Sequence, residues 1–290
     1  TNIPAPTEDR LAHPLIEINQ RTAIIHYDIL GLTYWMLSRL EEVGSEELDG
    51  HQRFSAISSH AYRHGYLERP VVDEWLDVLA QVMVRVWPEL KLKKHEFNVK
   101  VSHDVDTPSL YAFQPWKVII RIMASHLLKR LDLKALFQAF FVKLTTKKTL
   151  KKEDPYNTFD WLMDVSDAHG VNSAFYFICG CTDPKMDADY ELGHPLIRGL
   201  IKHINRRGHE VGLHPSYNSF QSSVELKHEI ANLKRICAEE GVSQKAWGGR
   251  MHYLRWQQPE TMQILNDVGM HYDSTLGYAD HPGFRCGTCF

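Results

Sequence analysis

The sequence predicts a small α+β module followed by a longer α/β unit of parallel strands with helical crossovers. Three observations lead there. At 290 residues and 43% apolar content, the chain has material for about two domains of roughly 150 residues, each with an ordinary core. Residues 1–95 carry one strand-like run, TAIIHY (22–27), and two helices at the 3.6 period, DILGLTYWMLSRLEEV (28–43) and RPVVDEWLDVLAQVMVRVW (69–87). From His95 onward the apolar runs FNVKVSH, NSAFYFIC, HEVGLH, KAWGGR and HYDSTL alternate with helical stretches at 155–169, 194–206, 223–240 and 257–268, the rhythm of parallel strands joined by helices. Gly208, Gly241 and Gly269 fall where three of those helices must stop.

Composition narrows the function. Charged residues are 24% and the net charge is −3, so no nucleic acid is expected as a partner. Five cysteines, two of them (Cys179 and Cys181) bracketing one residue, with no paired CxxC motifs, favour reduced thiols over a disulfide framework or a structural zinc knot. No run reaches the roughly 18 apolar residues of a membrane span, and Thr1 opens no signal peptide, so the expectation is a cytoplasmic chain. One segment departs from the rest. Residues 117–152 hold ten Lys or Arg against the single acid Asp132, so the remainder of the chain carries about −12. Their apolar residues fall in helical stripes, giving a basic amphipathic helix pair inserted at about 112–153. It reads either as an insertion with a solvated basic face or as a surface for an anionic membrane, at its inner face.

The polar clusters of the second half sit at expected strand tips, where parallel α/β folds build their sites. In Ser102-His103-Asp104-Val105-Asp106 the strand period puts both carboxylates on one side, suited to one ligating a cation while the other takes a proton; the plainer reading is an Asp turn closed by Thr107-Pro108. In GHEVGLHPSYNS, Pro215 is placed to open a helical turn that would carry His214 and Asn218 to one face. The next tip reads Gly248-Gly249-Arg250-Met251-His252-Tyr253, and at the fifth run Asp273 follows Tyr272 in the same relative position.

These motifs resemble the polysaccharide deacetylases, the NodB-homology group that includes carbohydrate esterase family 4, over about residues 97–290. SHDVD is similar to the group's first motif and implies Asp104 as catalytic base and Asp106 as metal ligand. GHEVGLHPSYN is similar to the second, with His214 as a ligand and Asn218 where a second histidine is usual. GGRMHY resembles the third, implying that Arg250 orients the base and Tyr253 lines the groove; YDST is a looser match to the fourth, with Asp273 as a supporting acid. The group's last motif, a Leu-x-His supplying the general acid, would fall after Phe290, which leaves His252 as the internal candidate and His281 behind it. Tyr217 and Trp247 join Tyr253 as substrate-contacting candidates. The N-terminal helices resemble a domain that precedes this barrel in some bacterial members associated with surface polysaccharides.

The resemblance implies a distorted seven-stranded (β/α) barrel over 96–290, incomplete at its C-terminal end, after the α+β domain of 1–95. It also implies a divalent metal, zinc first, held by Asp106, His214 and Asn218. The expected activity is removal of N-acetyl groups from a surface polysaccharide or its lipid-linked precursor. The alternatives are hydrolysis of another non-peptide C–N bond and a catalytically inactive glycan-binding barrel.

Overall fold

A computed structural model describes residues 3–93 and 95–290 and divides them into two compact units. The first comprises Thr1–Phe97, Tyr253–Gln263 and Thr275–Phe290; the second comprises Asn98–His252 and Ile264–Ser274.

In the first unit a two-stranded antiparallel ribbon, β1 (Ile16–Ile18) and β2 (Ala23–Ile25), precedes helices α1 (Ile29–Leu37), α2 (His60–Arg63) and α3 (Val71–Val86). Asp28 starts α1 by accepting the Gly31 N–H at 2.7 Å. The faces of α1 and α3 bearing Leu32, Met36, Val71, Val72 and Trp75 close on Ala56, Tyr66 and Leu67 to form the core. The sequence placed 253–290 wholly with the strands, but two of its segments pack here. A buried ion cluster accounts for one of them: Glu42 accepts from Arg285 Nη2 at 2.7 Å and from Arg39 Nε at 2.8 Å. Burial pushes the Glu42 carboxyl up, and the two guanidiniums outweigh it, holding it below the usual carboxylate range.

The second unit is a mixed α/β structure around one parallel sheet in the order β3 (Val101–Val105), β4 (Ser173–Ile178), β5 (Glu210–His214), β6 (Gly248–Gly249), β7 (Tyr272–Asp273). Between β3 and β4 lie α4 (Trp116–Ser125), α5 (Leu133–Thr145) and α6 (Phe159–Ala168); α7 (Pro195–Arg206) and α8 (Ser223–Glu239) follow β4 and β5, and α9 (Glu260–Asp267), of which residues from Ile264 on fall in this unit, follows β6. Every residue of β4 is buried, as the apolar run after Ser173 suits a strand covered on both faces. Helix α7 buries Leu196, Ile197, Leu200, Ile201 and Ile204 at helical spacing, with Pro195 in its first turn. Gly208 and Gly241 take left-handed φ of 85° and 73° just past α7 and α8. Among the described residues the sheet has five strands, against the seven expected of the full barrel.

Glycines let the strands carrying the site come close. A Cβ on Gly212 would lie 2.5 Å from the Gly248 carbonyl oxygen and 2.5 Å from the Tyr176 ring, and one on Gly248 would enter the Tyr272 ring.

Candidate metal centre

Strand alternation sets the first side chains. Val105 is buried, while Asp104 and Asp106 emerge on the other side of β3. His214 is the last residue of β5, and His252 lies just past β6; Tyr253 and Leu254, with φ of 58° and 55°, turn the chain sharply after it. Oxygen Oδ1 of Asp106 lies 3.3 Å from His214 Nε2 and 3.7 Å from His252 Nδ1, and the two ring nitrogens are 2.8 Å apart. A tetrahedral ion with bonds of about 2.0–2.1 Å separates its ligand atoms by roughly 3.3 Å, so the triangle has the size of such a site.

The far side of each ring decides its chemistry. His214 Nδ1 donates to the Arg250 carbonyl at 2.6 Å, and His252 Nε2 donates to the Met186 carbonyl at 2.8 Å. A carbonyl only accepts, so these nitrogens carry the protons and the two facing nitrogens present lone pairs. Two lone pairs at 2.8 Å call for a positive charge between them, either a proton that makes one ring an imidazolium or a metal ion. Burial and the neighbouring His214 ring push the His252 imidazole below its usual range. Burial pushes the Asp106 carboxyl up, but the His214 and His252 rings beside it outweigh that and hold it below the usual carboxylate range.

Arg250 and Asp104 stand beside the triangle. Arg250 Nη1 meets Asp104 Oδ1 at 3.1 Å, Nη2 donates to Ser102 Oγ at 2.8 Å and Nε to the Ser274 carbonyl at 3.2 Å; the guanidinium lies over the Tyr176 ring, 5.6 Å from its centre. The other Asp104 oxygen is 4.0 Å from His214 Nε2. Asp104 and Asp106 both line a cavity of ≈ 290 Å³ whose walls include Pro108, Pro155, Tyr156 and Phe159. A larger cavity, ≈ 520 Å³, lies in the first unit between Tyr27, Asp28 and Trp35. Among the described residues, Asp106, His214 and His252 form the one group of three such side chains close enough to share an ion.

The structure therefore brings together Asp104, Asp106, His214, Arg250 and His252, with His252 in the triangle rather than held apart as an acid. The helical turn expected from Pro215 begins only at Ser219. The buried Glu229 carboxylate takes the Ser216 N–H at 2.9 Å and the Ser216 and Ser219 hydroxyls, and Asp187 takes the Tyr217 N–H at 2.6 Å, so 215–218 follow these acceptors instead of a helix. Asn218 is exposed, and its side-chain nitrogen donates to the Thr182 carbonyl at 3.3 Å. Lys234 sits over the Trp247 ring, and Tyr253 stacks on His51 within the first unit. Asp273 pairs with Gly249 in the sheet register. Neither Tyr217 nor Trp247 lines the ≈ 290 Å³ cavity; Tyr156, which the sequence reading passed over, does. A Pro-Tyr pair at the end of a basic insertion was the signal available for it.

Residues 3–88 match a family model described as a family of unknown function (DUF7033), which lies within the first unit and does not reach the metal triangle. Neither the curated proteins nor the solved structures give a match to the chain.

Proposed function

We propose that the second unit is a metal-dependent hydrolase that removes N-acetyl groups from a surface polysaccharide or its lipid-linked precursor. The observation that carries this reading is the convergence of two lone-pair imidazoles and a carboxylate on one point, with a second carboxylate, Asp104, held by Arg250 beside it. Three protein ligands with the open position of a catalytic site suit zinc, which when bound supplies an acidified water and polarises an amide carbonyl. Asp104 takes the proton of the attacking water, and Arg250 keeps that carboxylate aimed. With His252 in the ligand set and its second nitrogen on Met186, Asp104 returns the proton to the departing amine. The cavity beside Tyr156 takes the sugar. Five parallel strands in sequence order are consistent with an arc of the (β/α) barrel that the motifs imply. Acetate release from N-acetylated oligosaccharides by the zinc-loaded protein tests the reading: release that Asp104→Asn abolishes supports it, and release undiminished in that variant overturns it.

A further inference from the structure

The helix pair of the basic insertion is built inside out. An ordinary surface helix turns its large apolar side chains to the core and its charges to water. Helix α5 turns its large apolar side chains outward instead: it buries Ala139 and Val142 against Tyr111 and Ile119, and exposes Leu133, Phe137, Phe140, Phe141 and Leu144 at helical spacing. The stripe continues on α4 and the turn after it, where Ile120 is 62% exposed, Leu128 78% and Leu131 81%. Interleaved with these lie exposed Lys117, Arg121, Lys134, Lys147 and Lys148, none of which forms an ion pair among the described residues.

We infer that α4 and α5 dock on an anionic lipid surface, lying in its plane with the Phe137 and Phe141 face in the acyl boundary and the lysines at the headgroups. Charge complementarity selects this occupant. A second copy of the chain seated on the same patch by a two-fold axis would bring two strongly basic faces together, since 117–152 carry ten cations and one acid. An anionic bilayer meets both halves of the pattern, apolar contact and neutralised cations. No helix among the described residues is long and apolar enough to cross a membrane, so the contact is with one face of it.

The test is sedimentation of the full chain with phosphatidylcholine vesicles, with and without phosphatidylglycerol. The protein is expected in the pellet only with the anionic lipid, and less so as salt rises. Lys117→Gln with Arg121→Gln should weaken partitioning about fivefold per charge, equivalent to about 1 kcal/mol each. Phe137→Gln with Phe141→Gln should weaken it at least about tenfold. Both positions are exposed, so the fold should be kept, which circular dichroism checks. Equal recovery in the supernatant with and without anionic vesicles overturns the inference, as does pelleting that either pair of substitutions leaves unchanged. A concentration-dependent dimer that Phe137→Gln with Phe141→Gln dissolves, without vesicle binding, overturns it in favour of a second copy.

Discussion

Zinc should raise the melting temperature of the second unit, and His252→Ala should remove most of that rise. Asp106, His214 and His252 come from the ends of three different strands and meet only when the sheet is formed, so the binding free energy becomes folding free energy. Zinc at 100 times its dissociation constant stabilises by about 2.7 kcal/mol. For a unit of 150–250 residues that is a rise of about 5–11 °C, at about 2–4 °C per kcal/mol. Taking away one of three ligands should weaken the site at least about 100-fold. The same zinc concentration then equals the dissociation constant, and stabilisation falls to about 0.4 kcal/mol, about 1 °C. Scanning calorimetry of each protein with chelator and with zinc isolates this shift from any intrinsic cost of the substitution. Asn218→Ala separates the structural account from the sequence expectation. Its side chain is held by Thr182, so the variant should keep the full rise. An equal zinc shift in His252→Ala and the parent, or loss of the shift in Asn218→Ala, would mean that the ion is not held by the Asp106, His214 and His252 triangle.

Asp104→Asn should lower kcat/KM for acetate release by about 10²–10⁴-fold while zinc stoichiometry, measured by elemental analysis, stays at one. Glu42→Gln breaks a buried charge cluster and should cost about 3–5 kcal/mol in urea unfolding of the first unit; a loss below about 1 kcal/mol would show that the Arg39 and Arg285 contacts are dispensable. His209 is buried, accepts the Ser173 N–H at 3.0 Å, and has its imidazole pushed down by burial despite the nearby Asp167. A histidine harder to protonate folded than unfolded stabilises fully above about pH 6.5, and loses that contribution as pH falls toward its lowered folded value. Unfolding free energy should therefore fall less steeply from pH 7 to 5 in His209→Gln than in the parent; identical slopes would contradict this.

Local signals made much of the second unit legible. The apolar run at 174–179 reads as a strand covered on both faces, and Gly208 and Gly241 mark helix ends because they supply the left-handed residue there. The period-two spacing of Asp104 and Asp106 was likewise enough to place both on one side of β3. The third metal-facing group was not legible in the same way. A ligand four residues after His214 presumes a helix at Pro215, and a carboxylate fourteen residues after that proline, Glu229, together with Asp187, holds that segment otherwise. His252 enters through contacts with Met186 and His214, 66 and 38 residues away, which no local spacing encodes. The packing of 275–290 with the first unit is similarly long-range, resting on Arg285 against Glu42. The inverted face of α5 was half visible: the stripes and charges could be counted, but which stripe faces the core required Tyr111 and Ile119 beneath Ala139 and Val142.

Asp106, His214 and His252 together should hold one divalent ion. Crystals soaked in zinc and measured on either side of the zinc absorption edge test it most directly. A single anomalous peak is expected within about 2.3 Å of an Asp106 oxygen, His214 Nε2 and His252 Nδ1, with both rings still donating to Met186 and Arg250. A zinc-saturated crystal with no peak there, and with the two imidazoles still 2.8 Å apart around a shared proton, would contradict it.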